Sequence, residues 1–128
     1  MTSDSGFAGV PRVLVVDDDA MICRELARRV REAAAEAVEA CSAFDAVEML
    51  RSQAFTLVFT DYRLGDGDGL MVAREARSLG VPVVVISSAP RDVPREEARE
   101  AGVLEVVDKH ILWPDRILDW LRHVTPEN

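Results

Sequence analysis

The stretch Leu57-Val58-Phe59-Thr60-Asp61-Tyr62-Arg63-Leu64 runs from an uncharged apolar segment into a single carboxylate, Asp61. The turn-rich Gly65-Asp66-Gly67-Asp68-Gly69 follows, and a helical pattern begins after it. A short apolar run bounded by turn residues is a strand. The predicted strand covers Thr56 to Phe59 and carries Asp61 to the rim of a sheet.

The same unit recurs on both sides of this stretch. Upstream, Val13-Leu14-Val15-Val16 ends at Asp17-Asp18-Asp19. Continuous rather than alternating apolarity predicts a strand covered on both faces. Asp19 is placed to cap the next helix, whose expected apolar stripe is Ile22, Leu26 and Val30 with Ala33 and Ala34. Ala37 to Cys41 carries Glu39 inside it, as an edge strand tolerates. Ser42 with Asp45 starts a second helix, which turns Ala46, Val47 and Leu50 inward. Downstream, Asp68 caps a third helix burying Val72, Ala73, Ala76 and Leu79, and Gly80 ends it. Pro82 opens a fourth strand, Val83-Val84-Val85-Ile86, closing at Ser87-Ser88. The polar segment from Arg91 to Glu100, with Pro94 near its start and Gly102 beyond its end, predicts a short, loosely packed helix. Val103 to Val107 is the fifth strand, ending at Asp108-Lys109. A last helix places Trp113, Ile117, Trp120, Leu121 and Val124 on one face, as core or interface residues.

Five strands alternating with five helices predict an α/β fold with a parallel sheet and helices on both faces. Strands one, three and four are the most apolar and belong in the centre; strands two and five carry charge and belong at the edges. The expected order is 2-1-3-4-5, the flavodoxin-like doubly wound (βα)5 sandwich. Its switch point lies between strands one and three, and ligands bind there at the carboxyl ends.

Composition sets outer bounds. With 128 residues, 48% hydrophobic and 30% charged, the chain has the size and balance of one globular domain. No apolar run approaches bilayer length, and the first residues lack the pattern of a secretory signal. The net charge of −8 argues against sequence-independent nucleic-acid binding, which needs a basic face. Cys23 and Cys41 form no CxxC pair and are expected to be buried, reduced thiols. A cytoplasmic location fits these features.

The winding brings residues distant in sequence to one rim. Asp17, Asp18 and Asp19 follow strand one, Asp61 strand three, Ser87 strand four and Lys109 strand five. Clustered carboxylates repel unless a cation sits among them, and a hard divalent ion with oxygen ligands, magnesium in particular, is the natural answer. Next to such an ion, Asp61 reads as a nucleophile for a phosphoryl group. Lys109 and Ser87 would neutralise and hydrogen-bond that group's oxygens. Each residue alone has a plainer reading as a cap, a turn or a solvated side chain; their joint occurrence carries the argument.

These motifs resemble the response-regulator receiver domain, the CheY-like family of two-component signalling. The resemblance rests on Val13 to Asp19, on Asp61-Tyr62-Arg63-Leu64 with Asp68-Gly69-Leu70, on Pro82 through Ser87-Ser88, and on Ala101-Gly102 through Lys109. It implies a leader over residues 1–10, a receiver over 11–125 and a tail over 126–128. Asp61 would be the phosphoacceptor for a phosphohistidine of a sensor histidine kinase or phosphotransfer protein. Asp18, Asp61 and the Arg63 carbonyl would hold Mg2+ (or Mn2+), with Asp17 acting through water. Ser87, Ser88 and Lys109 would bind the phosphoryl group and switch. A downstream protein would contact the face of helix four, strand five and helix five, with no direct nucleic-acid or membrane contact. The domain would be a monomer or a phosphorylation-dependent dimer. It would be a signalling domain rather than an enzyme, beyond catalysing its own phosphorylation and dephosphorylation.

Three departures stand out. His110 replaces the usual proline, so a trans bond or an unusual loop is expected there. Val106 replaces the aromatic that commonly moves with the hydroxyl. Arg63 puts a cation beside the site. Other readings of the same residues are a receiver-like module that is not phosphorylated, and a haloacid-dehalogenase-type phosphatase using Asp17. The latter lacks the acidic pair expected after a later strand. A calcium loop built from Asp66, Asp68, Gly69 and Glu75 lacks its first ligand, because Leu64 stands there. Only Thr125 to Asn128 follow the last predicted helix, as expected of a single-domain regulator or of a piece of a longer chain.

Overall fold

A computed structural model describes residues 9–111 and 114–124. Most of the predicted leader, Trp113 and the tail fall outside the described residues, as does the side chain of Val124. The strands are β1 (Arg12–Val16), β2 (Glu36–Ala40), β3 (Leu57–Asp61), β4 (Val83–Ser87) and β5 (Val103–Asp108). The helices are α1 (Ala20–Glu32), α2 (Ala43–Ser52), α3 (Gly69–Ser78), α4 (Arg95–Glu100) and α5 (Pro114–Val124). All five strands pair in parallel, in the order β2-β1-β3-β4-β5. This is the expected flavodoxin-like winding, with its switch point between β1 and β3.

The apolar runs are continuous because both faces of the sheet are covered. Val13, Val15, Leu57, Phe59, Val84 and Ile86 point to the face where α1 and α5 supply Leu26, Ile117 and Trp120. Their alternates Leu14, Val16, Val58, Val83 and Val85 meet α2, α3 and α4 through Leu50, Val72 and Ala98. Phe59 is fully buried and meets the edge of Trp120, ring centroids 5.5 Å apart. That contact ties the central strand to the last helix.

The predicted helix caps are in place. Asp19 accepts the amides of Met21 and Ile22, Ser42 that of Asp45, and Asp68 those of Leu70 and Met71. Gly80 takes φ +75° just past α3, a conformation that favours glycine.

Several expectations needed correction. The buried stripe of α1 runs through Cys23, Leu26, Ala27 and Val30. Ile22 is 37% exposed at the rim end of the helix, and Ala34 lies past the helix end at φ +66°. Val47 is half-buried, at the margin of α2's buried face. Leu79 is 49% exposed, since α3 ends at Ser78. Cys23 is buried, whereas Cys41 is exposed because β2 ends at Ala40. The segment before β5 is two pieces, a 3-10 turn at Pro90–Asp92 and α4 from Arg95. Pro94, with no amide to donate and φ −65°, stands between them as the N-cap of α4.

Candidate functional site

The carboxyl ends of β1, β3, β4 and β5 open onto one rim. Asp17 directly follows β1 and is only 2% exposed. Its Oδ1 accepts the amide of Asp19 at 2.9 Å, and its Oδ2 accepts Lys109 Nζ at 3.0 Å. Asp61 is the last residue of β3, and its Oδ2 accepts the same ammonium at 3.1 Å. Lys109 opens the 3-10 turn Lys109–Ile111 that follows β5. Its Nζ therefore bridges the carboxylates that end two different strands. Asp18 is exposed, and one carboxylate oxygen each from Asp17, Asp18 and Asp61 lie within 4.8 Å of one another.

Three acids in this space make an electrostatic problem that one lysine only partly solves. Burial pushes the Asp61 carboxyl above its ordinary range; Lys109 pulls it back, Asp17 adds to the rise, and the net shift is upward. For Lys109, burial works against the charge, but the hydrogen bond and charge of Asp17 and those of Asp61 outweigh it, so its pKa rises. The low-dielectric wall is visible: Ile22, Leu26 and Ile86 border a cavity of about 60 Å³ against Asp17, Asp61 and Lys109. Ile22, displaced from the predicted core stripe, forms part of this wall.

The loop after Asp61 is held by close backbone contact. Arg63–Leu64 pairs antiparallel with Gly67–Asp68, folding the loop back toward α3. The amide of Gly69 donates to the carbonyl of Tyr62 at 2.7 Å. A Cβ at Gly69 would lie 2.4 Å from the carbonyl oxygen of Asp61, so this position admits only glycine without movement of the strand end.

Ser87, the last residue of β4, is 5% exposed and sits one residue past Ile86, the register partner of Asp61. Its Oγ accepts the amide of Ala89 at 2.9 Å. Ser88 is exposed just beyond it. Asp19 serves as the cap of α1. Arg63 does not turn onto the acids: its guanidinium lies 5.8 Å from the centroid of the Tyr62 ring and 3.5 Å from Asp92 Oδ2. That pair ties the loop after β3 to the Pro90–Asp92 turn after β4. Val106 is half-buried against the core on the α2–α4 side. The Lys109–His110 bond is trans, since no described peptide bond is cis.

The calcium-loop reading fails on geometry. Asp66 accepts the amides of Ala43 and Phe44 at 2.8 and 2.9 Å, Asp68 caps α3, and Glu75 pairs with Arg51. Sequence reasoning missed this role of Asp66, a second cap on α2 supplied from more than twenty residues away. Only the tertiary fold brings the two together. No described helix is long and apolar enough to cross a membrane.

The family model for the response regulator receiver domain matches residues 13–122. The chain is 34% identical over 110 residues to the transcriptional regulatory protein PdtaR of Mycobacterium tuberculosis, covering 84% of this chain and 54% of that protein. It is 30% identical over 99 residues to the transcriptional regulatory protein ZraR of Salmonella typhimurium, covering 76% of this chain and 22% of that protein. It therefore spans about half, or less, of the length of these curated relatives. Among solved structures, a CheY-like receiver domain from Methanospirillum hungatei JF-1 superposes with a TM-score of 0.81 at 20% identity, over 90% of this chain and 93% of that one. At that identity the likeness speaks to the fold. Since the family model spans all but the two ends, this chain belongs to the response regulator receiver domain family.

Proposed function

We propose that this receiver takes a phosphoryl group onto Asp61 from a phosphohistidine of a sensor histidine kinase or phosphotransfer protein. An Asp61 carboxylate oxygen attacks phosphorus, the P–N bond breaks, and the imidazole departs with the bonding electron pair. The product is an acyl phosphate on Asp61. The observation that carries this reading is the single ammonium of Lys109 held between Asp17 and Asp61 at the end of the central strand. Phosphoryl transfer asks a protein chiefly for positioning and charge neutralisation. Lys109, already within hydrogen-bond reach of the acceptor, supplies a cation for a phosphoryl oxygen. Ser87 offers a hydroxyl at the same rim.

The donor set fits magnesium, or manganese in its place. Asp17, Asp18 and Asp61 present hard oxygen ligands close together, as a small divalent ion requires. Asp18 and Asp61 would bind it directly with the Arg63 carbonyl, and Asp17 through water. When bound, the ion supplies positive charge that offsets the carboxylates and the phosphoryl oxygens. Asp61 is favoured over Asp17 as the nucleophile. Asp17 is nearly inaccessible, with its two oxygens committed to the Asp19 amide and to Lys109.

The reading extends to a cytoplasmic protein that signals through the face of α4, β5 and α5. Incubation of the folded domain with phosphoramidate tests its first step by intact mass. One phosphoryl group is expected to add with magnesium and not with excess chelator. A folded domain that gains no mass with either would leave a receiver-like module that is not phosphorylated.

A further inference from the structure

Two thiols flank the acidic rim, and phosphoryl transfer uses neither. Cys23, one turn into α1, is fully buried. Its Sγ lies 3.5 Å from the carbonyl oxygen of Val15 and 3.6 Å from that of Ala40. Ala40 is the last residue of β2, and Cys41 follows it directly. The Cys23 sulfur therefore rests against the peptide unit that carries Cys41. Side chains alternate along a strand. Val38 and Ala40 pack on the α2 side, while Glu39 reaches Arg31 of α1 at 3.9 Å. Cys41, two residues beyond Glu39, continues the row that faces α1.

The two sulfurs differ in what can reach them. Cys41 is exposed and open to small solutes. Cys23 is closed off, and burial, with Glu39, Cys41 and Asp17 adding to it, pushes its thiol up to about 12. An accessible thiol backed by a shielded one is an arrangement in which the first oxidation product is captured by the second sulfur. The pair is also tied to the acidic rim through one atom. The Ala40 carbonyl oxygen against the Cys23 thiol is the same oxygen that accepts the amide of Asp17 at 3.2 Å.

We propose that Cys41 and Cys23 form an oxidation site, at which a peroxide joins them in a reversible disulfide that links α1 to the end of β2 and loosens the Asp17 amide from Ala40. The Cys41 thiolate attacks the peroxide. An S–O bond forms, the O–O bond breaks, and the departing oxygen takes a proton to leave as water or an alcohol. The Cys23 sulfur then attacks the sulfenic sulfur of Cys41. The S–S bond forms, the S–O bond breaks, and hydroxide leaves with the Cys23 proton as water. The two thiols lose two electrons and the peroxide gains them. Forming the bond turns the Cys23 sulfur away from the Ala40 carbonyl toward Cys41, so the oxygen that holds Asp17 shifts with it. In a reducing compartment such a bond is transient, as redox-sensing disulfides are. The chemistry is independent of phosphoryl transfer to Asp61.

The test is treatment of the reduced, folded chain with hydrogen peroxide in chelator-containing buffer, followed by mass spectrometry. The intact protein should lose two hydrogens and regain them with dithiothreitol. Trypsin cuts after Arg24 and Arg31, so a non-reducing digest should join the peptide of Cys23 to that of Cys41. Cys41→Ser, a change at an exposed position, should slow peroxide consumption at least tenfold with circular dichroism unchanged. In Cys23→Ser the oxidised Cys41 should stop at the sulfenic acid and be trapped by dimedone. Amide exchange at Asp17 should speed up in the oxidised wild type and return on reduction. The wild-type digest and exchange need no variant to fold. Absence of reaction, Cys41 carried on to sulfinic acid with no linked peptide, or a dimer joined through Cys41 of two copies would overturn the proposal. So would a linked pair that leaves Asp17 exchange unchanged.

Discussion

At Asp61 two opposing effects meet, and their balance sets the residue's behaviour. Burial and Asp17 raise its pKa more than Lys109 lowers it. The native state therefore binds the proton more tightly than the unfolded chain does. Stability falls as pH rises from the unfolded value through the raised native one, and the full cost is present above both. Asp61→Asn is expected to be more stable than the wild type at neutral pH in chelator-containing buffer. The gain should shrink as pH falls toward the unfolded carboxylate range, followed by thermal melts across pH. Lys109 has the opposite sign. Its raised pKa contributes stability below the ordinary lysine range, lost only as pH climbs through the higher native value. Lys109→Met leaves Asp17 buried without its counter-charge, and is expected to cost about 3–5 kcal/mol in urea unfolding without metal. Added magnesium should recover part of that loss, because a divalent ion replaces the missing charge.

The elements were legible to different depths. β1, β3 and β4 could be read directly, because strands covered on both faces keep charge out of their interiors, and Arg12 and Asp61 stand only at strand ends. Their helix caps could be read because a cap lies within three residues of the amides it serves. The second cap on α2 could not, since Asp66 sits in the loop after β3, far along the chain from Ala43 and Phe44. Those amides hold the Asp66 carboxyl below its usual range. Its contribution is present above the unfolded pKa and lost as pH falls through the native one. Asp66→Ala is expected to lower the unfolding midpoint at neutral pH and to speed amide exchange at Ala43 and Phe44. The stability difference should vanish in acid. The bulge at Leu104, where Val83 pairs with Val103 but Val84 with Glu105, was equally hidden, since strand-like composition does not report register. Cys41 read as buried because one residue decides whether a side chain ends within a strand or past its rim.

For the whole molecule, winding turned a list of polar residues into a site. Asp17, Asp61, Ser87 and Lys109 each follow or end a strand, and a parallel sheet puts all carboxyl ends on one side. That much of the site was legible. The bridging of Asp17 and Asp61 by one lysine, and the turning of Arg63 toward Asp92, depend on side-chain packing that no spacing encodes. The sheet is also the frame that keeps Asp61 in place, and Phe59 pins it to α5 through Trp120. Phe59→Ala is expected to cost about 3–5 kcal/mol, as for other fully buried aromatics. Urea denaturation followed by tryptophan fluorescence would measure it.

Borohydride reduction of the phosphodonor-treated, magnesium-loaded protein, followed by peptide mass spectrometry, tests the central claim most directly. An acyl phosphate is reduced to an alcohol, which marks the acceptor residue. The account predicts homoserine at position 61, and none in Asp61→Asn. Homoserine at position 17 with Asp61 unmodified would contradict it.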